Sequence, residues 1–77
     1  MTFGERVKRL RKGLGLKQAD VVKRMHGVIG RASLSRIETG ELFPSVDKLP
    51  LLANALEEHI ESLFYDEFGD PVVIGHE

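Results

Sequence analysis

KQADVVKRMHGVIGRASLSRIETG, residues 17–40, reads as two short amphipathic segments around a tight turn. In the second segment, side chains three and four residues apart share a face, so Leu34 and Ile37 point one way and Arg31, Ala32, Ser35 and Arg36 the other. The first face is suited to a core. The second, small and basic, suits a DNA major groove. The first segment is expected as a helix from about Gln18 to Met25 that buries Val21, Val22 and Met25, with Ala19 small enough for a close approach. Its opening turn offers unpaired backbone N–H groups and the positive end of a helix dipole. A phosphate oxygen fits there, with Gln18 donating beside it and Lys17 adding charge; the alternative for Gln18 is capping its own helix.

Upstream, Phe3, Val7, Leu10 and Leu14 recur at helical spacing and predict one buried stripe. Arg6, Lys8, Arg9 and Lys12 lie outside it, free to touch phosphates or stay in water. Gly13 and Gly15 then stop the helix, because glycine accepts the left-handed conformation a helix end needs. Downstream, Gly40 ends the second segment in the same way. Val46, Leu49, Leu52, Ala53 and Leu56 form the stripe of a fourth helix, and Pro50, tolerated only in a first turn, places its regular start near Asp47 or Lys48. Ile60, Leu63 and Phe64, with Tyr65 and Phe68 as candidate members, continue as a short fifth helix or its end. That is much apolar surface for a small domain, with core packing as its first use and a two-fold interface as its second.

The sequence therefore divides into a helical domain, residues 1–65, and a tail, residues 66–77. In the tail the Gly-Asp-Pro run breaks the helix, and Val72, Val73 and Ile74 favour a strand. One short strand cannot stand alone. It is either disordered, folded back onto the domain, or paired as a dimerisation strand with a second subunit.

Seventy-seven residues leave room for one domain, whose core is marginal because so short a chain buries only about 60% of its unfolded surface. There is no cysteine, which excludes disulfides and thiolate zinc sites and suits a reducing cytoplasm. MTFGERVKRLRK has neither the apolar centre of a signal peptide nor a myristoylation glycine, and no apolar run approaches membrane-spanning length. The net charge of −1 conceals a division. Residues 1–36 carry ten Lys and Arg against Glu5 and Asp20, or +8, whereas residues 37–77 carry Lys48 against ten Asp and Glu, or −9. Such a dipole can present its basic end to phosphates, although two solvated helical surfaces would give the same count.

Taken in order, QADVV, the turn, SLSRIETG, PSVDKL and LANAL resemble the Cro and cI type of helix-turn-helix, the XRE-like or lambda-repressor-like family. The resemblance covers roughly residues 3–64. It implies an all-α, compact five-helix domain whose second and third helices read DNA, the third lying in the major groove. By the same resemblance Gln18 matches a phosphate-contacting glutamine, and Arg31, Ala32 and Arg36 match positions facing base edges, with Ser35 beside them. Arginine can bond guanine O6 and N7 and alanine can pack on a thymine methyl; for Arg31 or Arg36 a phosphate contact is the alternative. Arg11 and Glu38 match a structural ion pair between the first helix and the end of the third.

Some positions depart from the family pattern. Lys17 stands where a threonine or serine usually caps helix two, His26-Gly27-Val28 lengthens the turn, and Gly30 replaces a hydroxyl cap of helix three. The loop ELFP is acidic and apolar where relatives carry basic residues, so phosphate contact there falls to backbone N–H groups and the Thr39 hydroxyl. At least one of Leu42 and Phe43 is expected to tuck under the core.

The function expected is a cytoplasmic, sequence-specific double-stranded DNA-binding regulator, a homodimeric repressor on a two-fold symmetric operator. The rival is an antitoxin-like interaction module whose acidic C-terminal half binds a protein partner. An enzyme finds little support: His26, His59 and His76 are scattered, and no catalytic motif, metal set or cofactor loop is present.

Overall fold

The computed structural model describes residues 1–74, so the part of the tail beyond Ile74 lies outside the described residues. Four α-helices form: α1 Phe3–Gly13, α2 Gln18–Arg24, α3 Arg31–Thr39 and α4 Leu49–Ala55, with short 3-10 turns at Val46–Lys48 and Ile60–Phe64. The class is all-α, and no β-sheet forms among the described residues.

α1 is firmly started. The Thr2 hydroxyl accepts from the Glu5 N–H at 3.1 Å while the Glu5 carboxylate accepts from the Thr2 N–H at 2.8 Å, a reciprocal capping box. Phe3 and Val7 bury against α3, and Gly4 lies where the two helices meet most closely. A Cβ there would collide with the carbonyl oxygens of Ile37 and Glu38, so α3 packs on bare α1 backbone. Leu10 is half-buried and Leu14, the last residue of the expected stripe, is exposed because it lies past the end of the helix.

All four helices end in one way. After each last turn comes a left-handed residue: Gly15 (φ 73°), His26 (φ 56°), Gly40 (φ 87°) and Glu57 (φ 60°). The N–H of the residue after it reaches back five positions, as in Gly27 to Val22 O at 3.0 Å and Glu58 to Ala53 O at 2.9 Å. These are Schellman ends, and two of them place a side chain where glycine is at ease. His26 at that position ends α2 at Arg24, one residue short of the expected Met25, and Gly27 (φ 71°) extends the turn.

The expected fifth helix is a correction. Ile60–Phe64 is a 3-10 turn, because Glu57 has already closed α4 and only five residues separate His59 from the extended Tyr65. Leu63 fills the core, whereas Phe68 is 81% exposed. Val46, expected in the α4 stripe, is also 81% exposed. It precedes the first α-helical turn, so the periodicity that buries Leu49, Leu52 and Leu56 does not reach it. Pro50 sits in the first turn of α4, where its missing N–H costs nothing.

Of the arrangements open to the tail, residues 66–74 take the folded-back one. Val73 accepts from the Phe3 N–H at 2.8 Å and donates to Met1 O at 3.0 Å, an isolated parallel bridge opposite Thr2. Val72 is buried and its N–H donates to Phe64 O at 2.9 Å. The Asp66–Asp70 turn is closed by the Asp66 carboxylate, which accepts from the N–H groups of Phe68 and Asp70. Phe43 joins Phe3 and Phe64 in a group of three rings, 4.8 Å from the first, and leaves 40% of its surface in water; Leu42 is equally exposed.

Candidate nucleic-acid interface

α3 has the two faces its sequence spacing calls for. Leu34, Ile37 and Glu38 are buried, Arg31, Ala32, Arg36 and Thr39 are exposed, and Ser35 is half-buried between the sets. The helix is anchored on its inner face, so the outer side chains stand on a fixed base. Thr39 donates its hydroxyl to Arg36 O at 3.2 Å, which leaves its oxygen free to accept but spends its proton in the helix.

At the start of α2 the Lys17 side chain makes no cap; instead its backbone N–H is held by the Asp20 carboxylate at 2.8 Å, half of a capping box. The helix therefore starts at Gln18 without the usual hydroxyl. An open groove at this end is lined by Lys12, Lys17, Gln18, Ala19 and Arg31. It brings the ends of α1, α2 and α3 together. Lys12 is the member whose place the sequence left open between phosphates and water, since a stripe analysis says where α1 is buried but not which exposed cation faces another helix.

Arg11 and Glu38 lie beneath this groove as a buried, bidentate ion pair. Arg11 Nε donates to Glu38 Oε2 at 2.7 Å and Nη2 to Oε1 at 3.0 Å, with side chains 9% and 3% exposed. Nη1 donates to Leu16 O at 2.9 Å and so fixes the α1–α2 loop. Gln18 Nε2 donates to Glu38 Oε1 at 3.1 Å. Gln18 is thus tied inward rather than capping its own helix, a contact for which the sequence gives no local signal because twenty residues separate the partners.

Charge is sorted over the surface. Arg6 and Arg9 are held by Glu67, at 4.0 and 2.8 Å, and Arg24 by Glu57 at 2.9 Å. Lys12, Lys17, Arg31 and Arg36 have no acidic partner among the described residues. The cations left unneutralised thus include the groove and the outer face of α3, an arrangement that attracts a polyanion. Among the described residues no group of three His, Asp or Glu side chains is placed to hold a metal ion, and no helix is long and apolar enough to cross a membrane.

A short helix crossing to a second, anchored helix with a small and basic outer face defines a helix-turn-helix protein. The family model described as a helix-turn-helix domain matches residues 2–61, and the chain belongs to the helix-turn-helix family of the Cro and cI type. Among solved structures it is similar to the restriction-modification controller protein C.AhdI from Aeromonas hydrophila. The two share 29% identity and a TM-score of 0.75 over 80% of this chain and 91% of that one. A sequence comparison with curated proteins gives no match. The chain is a DNA-binding transcription regulator.

Proposed function

We propose that the protein is a sequence-specific repressor that binds double-stranded DNA as a homodimer, in the cytoplasm, on a two-fold symmetric operator. The observation that carries this reading is the pairing of an anchored α3, exposing Arg31, Ala32 and Arg36, with a groove of unneutralised cations at its start. Arg31 and Arg36 have the donors to read guanine, Ala32 can pack on a thymine methyl, and the Ser35 hydroxyl can donate to or accept from a base edge. Lys17 and Gln18 hold backbone phosphates and set the register, and the Thr39 hydroxyl joins them by turning its proton from Arg36 O to a phosphate oxygen. Two copies would place their third helices about 34 Å apart in successive major grooves. Exposed Ile60, Tyr65, Phe68 and Val73 supply apolar surface for pairing the copies. Likeness to a restriction-modification controller supports control of transcription at a specific site as the role.

Selection of bound duplexes from a random pool at moderate salt tests the proposal. Enrichment of a symmetric motif with half-sites about one helical turn apart is expected. A folded protein that enriches nothing would overturn it. A second reading, a module that binds a protein through its acidic C-terminal half, draws on the exposed Leu42, Phe43 and Val46 in a loop without free basic residues. Binding of a basic partner protein without any DNA preference would favour that reading.

A further inference from the structure

We infer that the buried Arg11–Glu38 pair is a clamp that positions the Gln18 carboxamide, holding it ready as a phosphate donor in the groove between α1, α2 and α3. The inference rests on the DNA-binding reading above and assigns Glu38 a part in it as a positioning residue.

Glu38 spends all of its directed contacts here. Oε2 accepts from Arg11 Nε at 2.7 Å, and Oε1 accepts both Arg11 Nη2 at 3.0 Å and Gln18 Nε2 at 3.1 Å. An ionised carboxylate can only accept, so Gln18 must turn its nitrogen toward it, and the two ends of the amide are no longer interchangeable. One N–H of Nε2 is used by Glu38; the second N–H and the carbonyl oxygen have no partner among the described residues. Gln18 is half-buried on the wall of the groove that Lys12, Lys17 and Arg31 share. The free N–H thus belongs to a site where three cations already favour an anion. Glu38 cannot itself drift, because Arg11 grips both its oxygens and is tied in turn to Leu16 O at 2.9 Å. A free glutamine must freeze its side-chain rotamers when it binds a phosphate, whereas this one is already fixed. A residue that touches no DNA therefore sets the strength of a DNA contact.

The chain makes the test simple, since Gln18 is its one glutamine and Asn54 its one asparagine. Proton–nitrogen NMR of the free protein shows two side-chain amide pairs, and exposed Asn54 is the internal reference. One Gln18 amide proton is expected to exchange with water more slowly than either proton of Asn54. If both exchange as fast as those of Asn54, the clamp does not exist and the inference is overturned, whatever DNA does.

The second arm measures binding of a short fluorescein-labelled duplex of mixed sequence at low salt, where phosphate contacts dominate. Gln18→Ala is expected to weaken binding roughly tenfold, the value of a hydrogen bond to a charged group. Glu38→Gln should cost most of that factor in the native background and almost nothing once Gln18 is Ala. Losses that multiply in the double variant overturn the inference and leave the DNA-binding reading intact. A native protein that binds no duplex overturns both. Should Glu38→Gln fail to fold, amide exchange in the native protein decides alone.

Discussion

On α1, Arg9 and Arg11 stand two residues apart, and each is gripped by a glutamate from a distant segment. Arg11 meets Glu38 of α3 with side chains 9% and 3% exposed; Arg9 meets Glu67 of the tail with side chains 58% and 44% exposed. The shortest N–O distances, 2.7 and 2.8 Å, are nearly equal. Distance therefore says little about what each pair contributes. Water screens the outer pair and competes for both partners, so it is worth about 0.2–1 kcal/mol. The inner pair is desolvated, and breaking it strands a charge whose remaining protein partner is the Leu16 carbonyl alone.

The largest effect should come from stranding that charge. Glu38→Ala is expected to cost roughly 3–5 kcal/mol, because Arg11 stays buried with two donors unmatched. In a domain of this size that lowers the melting temperature by tens of degrees, at roughly 4–8 °C per kcal/mol, or abolishes folding. A thermal scan checks it. A variant melting with the native protein would erase the distinction between the two pairs.

Next in size is the α1–α3 contact that the inner pair crosses. Gly4→Ala drives a methyl into the carbonyl oxygens of Ile37 and Glu38, and backbone cannot swing aside as a side chain can. Overpacking of this kind costs about 1–3 kcal/mol. Chemical denaturation should show it, with Gly13→Ala as the control. Gly13 is helical, with open space at its Cβ position, so alanine there should stabilise by about 0.5–1 kcal/mol. Equal losses at both positions would mean that helix propensity, not the close approach, decides.

How much of this could be read in the sequence follows the same division between near and far. Leu34 and Ile37 against Arg31, Ala32 and Arg36 is a three-and-four spacing, and the faces of α3 follow from it. Gly15 and Gly40 announce helix ends because glycine is the residue that end needs. His26 and Glu57 do the same job without announcing it, which is why α2 was expected one residue longer and α4 was expected to run on into a fifth helix. Thr2 and Glu5 stand at capping-box spacing, a local signal separate from the stripe of Phe3 and Val7. Gly4 was illegible, since nothing near it in sequence tells that α3 will lie on it. The Gln18–Glu38 contact and the place of Lys12 in the groove are likewise tertiary facts. Propensity read Val72–Ile74 as a strand but left its partner open, and in the structure the N-terminus is that partner.

Those silent helix ends give the next prediction. A non-glycine residue in the left-handed region is strained by about 1–2 kcal/mol, partly offset by the greater freedom glycine has when unfolded. His26→Gly and Glu57→Gly should each stabilise by about 0.5–1 kcal/mol in denaturant titrations. Glu57→Gly also gives up the exposed Arg24 pair, so its gain should be the smaller. At the outer pair itself, Glu67→Ala should cost less than about 1 kcal/mol, and the loss should shrink with added salt. A loss near that of Glu38→Ala would break the contrast on which the ranking stands.

The smallest expected effect is in pH, and it falls on the tail side of the comparison. The Asp70 N–H, with the Phe68 N–H beside it, holds the Asp66 carboxyl below its ordinary range. The Thr2 N–H does the same for Glu5 in the capping box. Because both groups are stronger acids folded than unfolded, their contribution is fully present above the ordinary carboxylate range. It is lost as pH falls through their lowered folded values. Both carboxylates secure the ends that Val73 joins, the Asp66 turn on one side and the Thr2 cap on the other. Amide exchange at Phe3 and Val73 should therefore quicken as pH is lowered through that range, after allowance for the intrinsic rate. Asp66→Asn keeps an oxygen that accepts the same two N–H bonds without a titrating charge, so it should flatten part of that dependence while leaving the turn in place. If protection at Val73 falls just as steeply in the Asn variant, the Asp66 turn does not control how the tail is held.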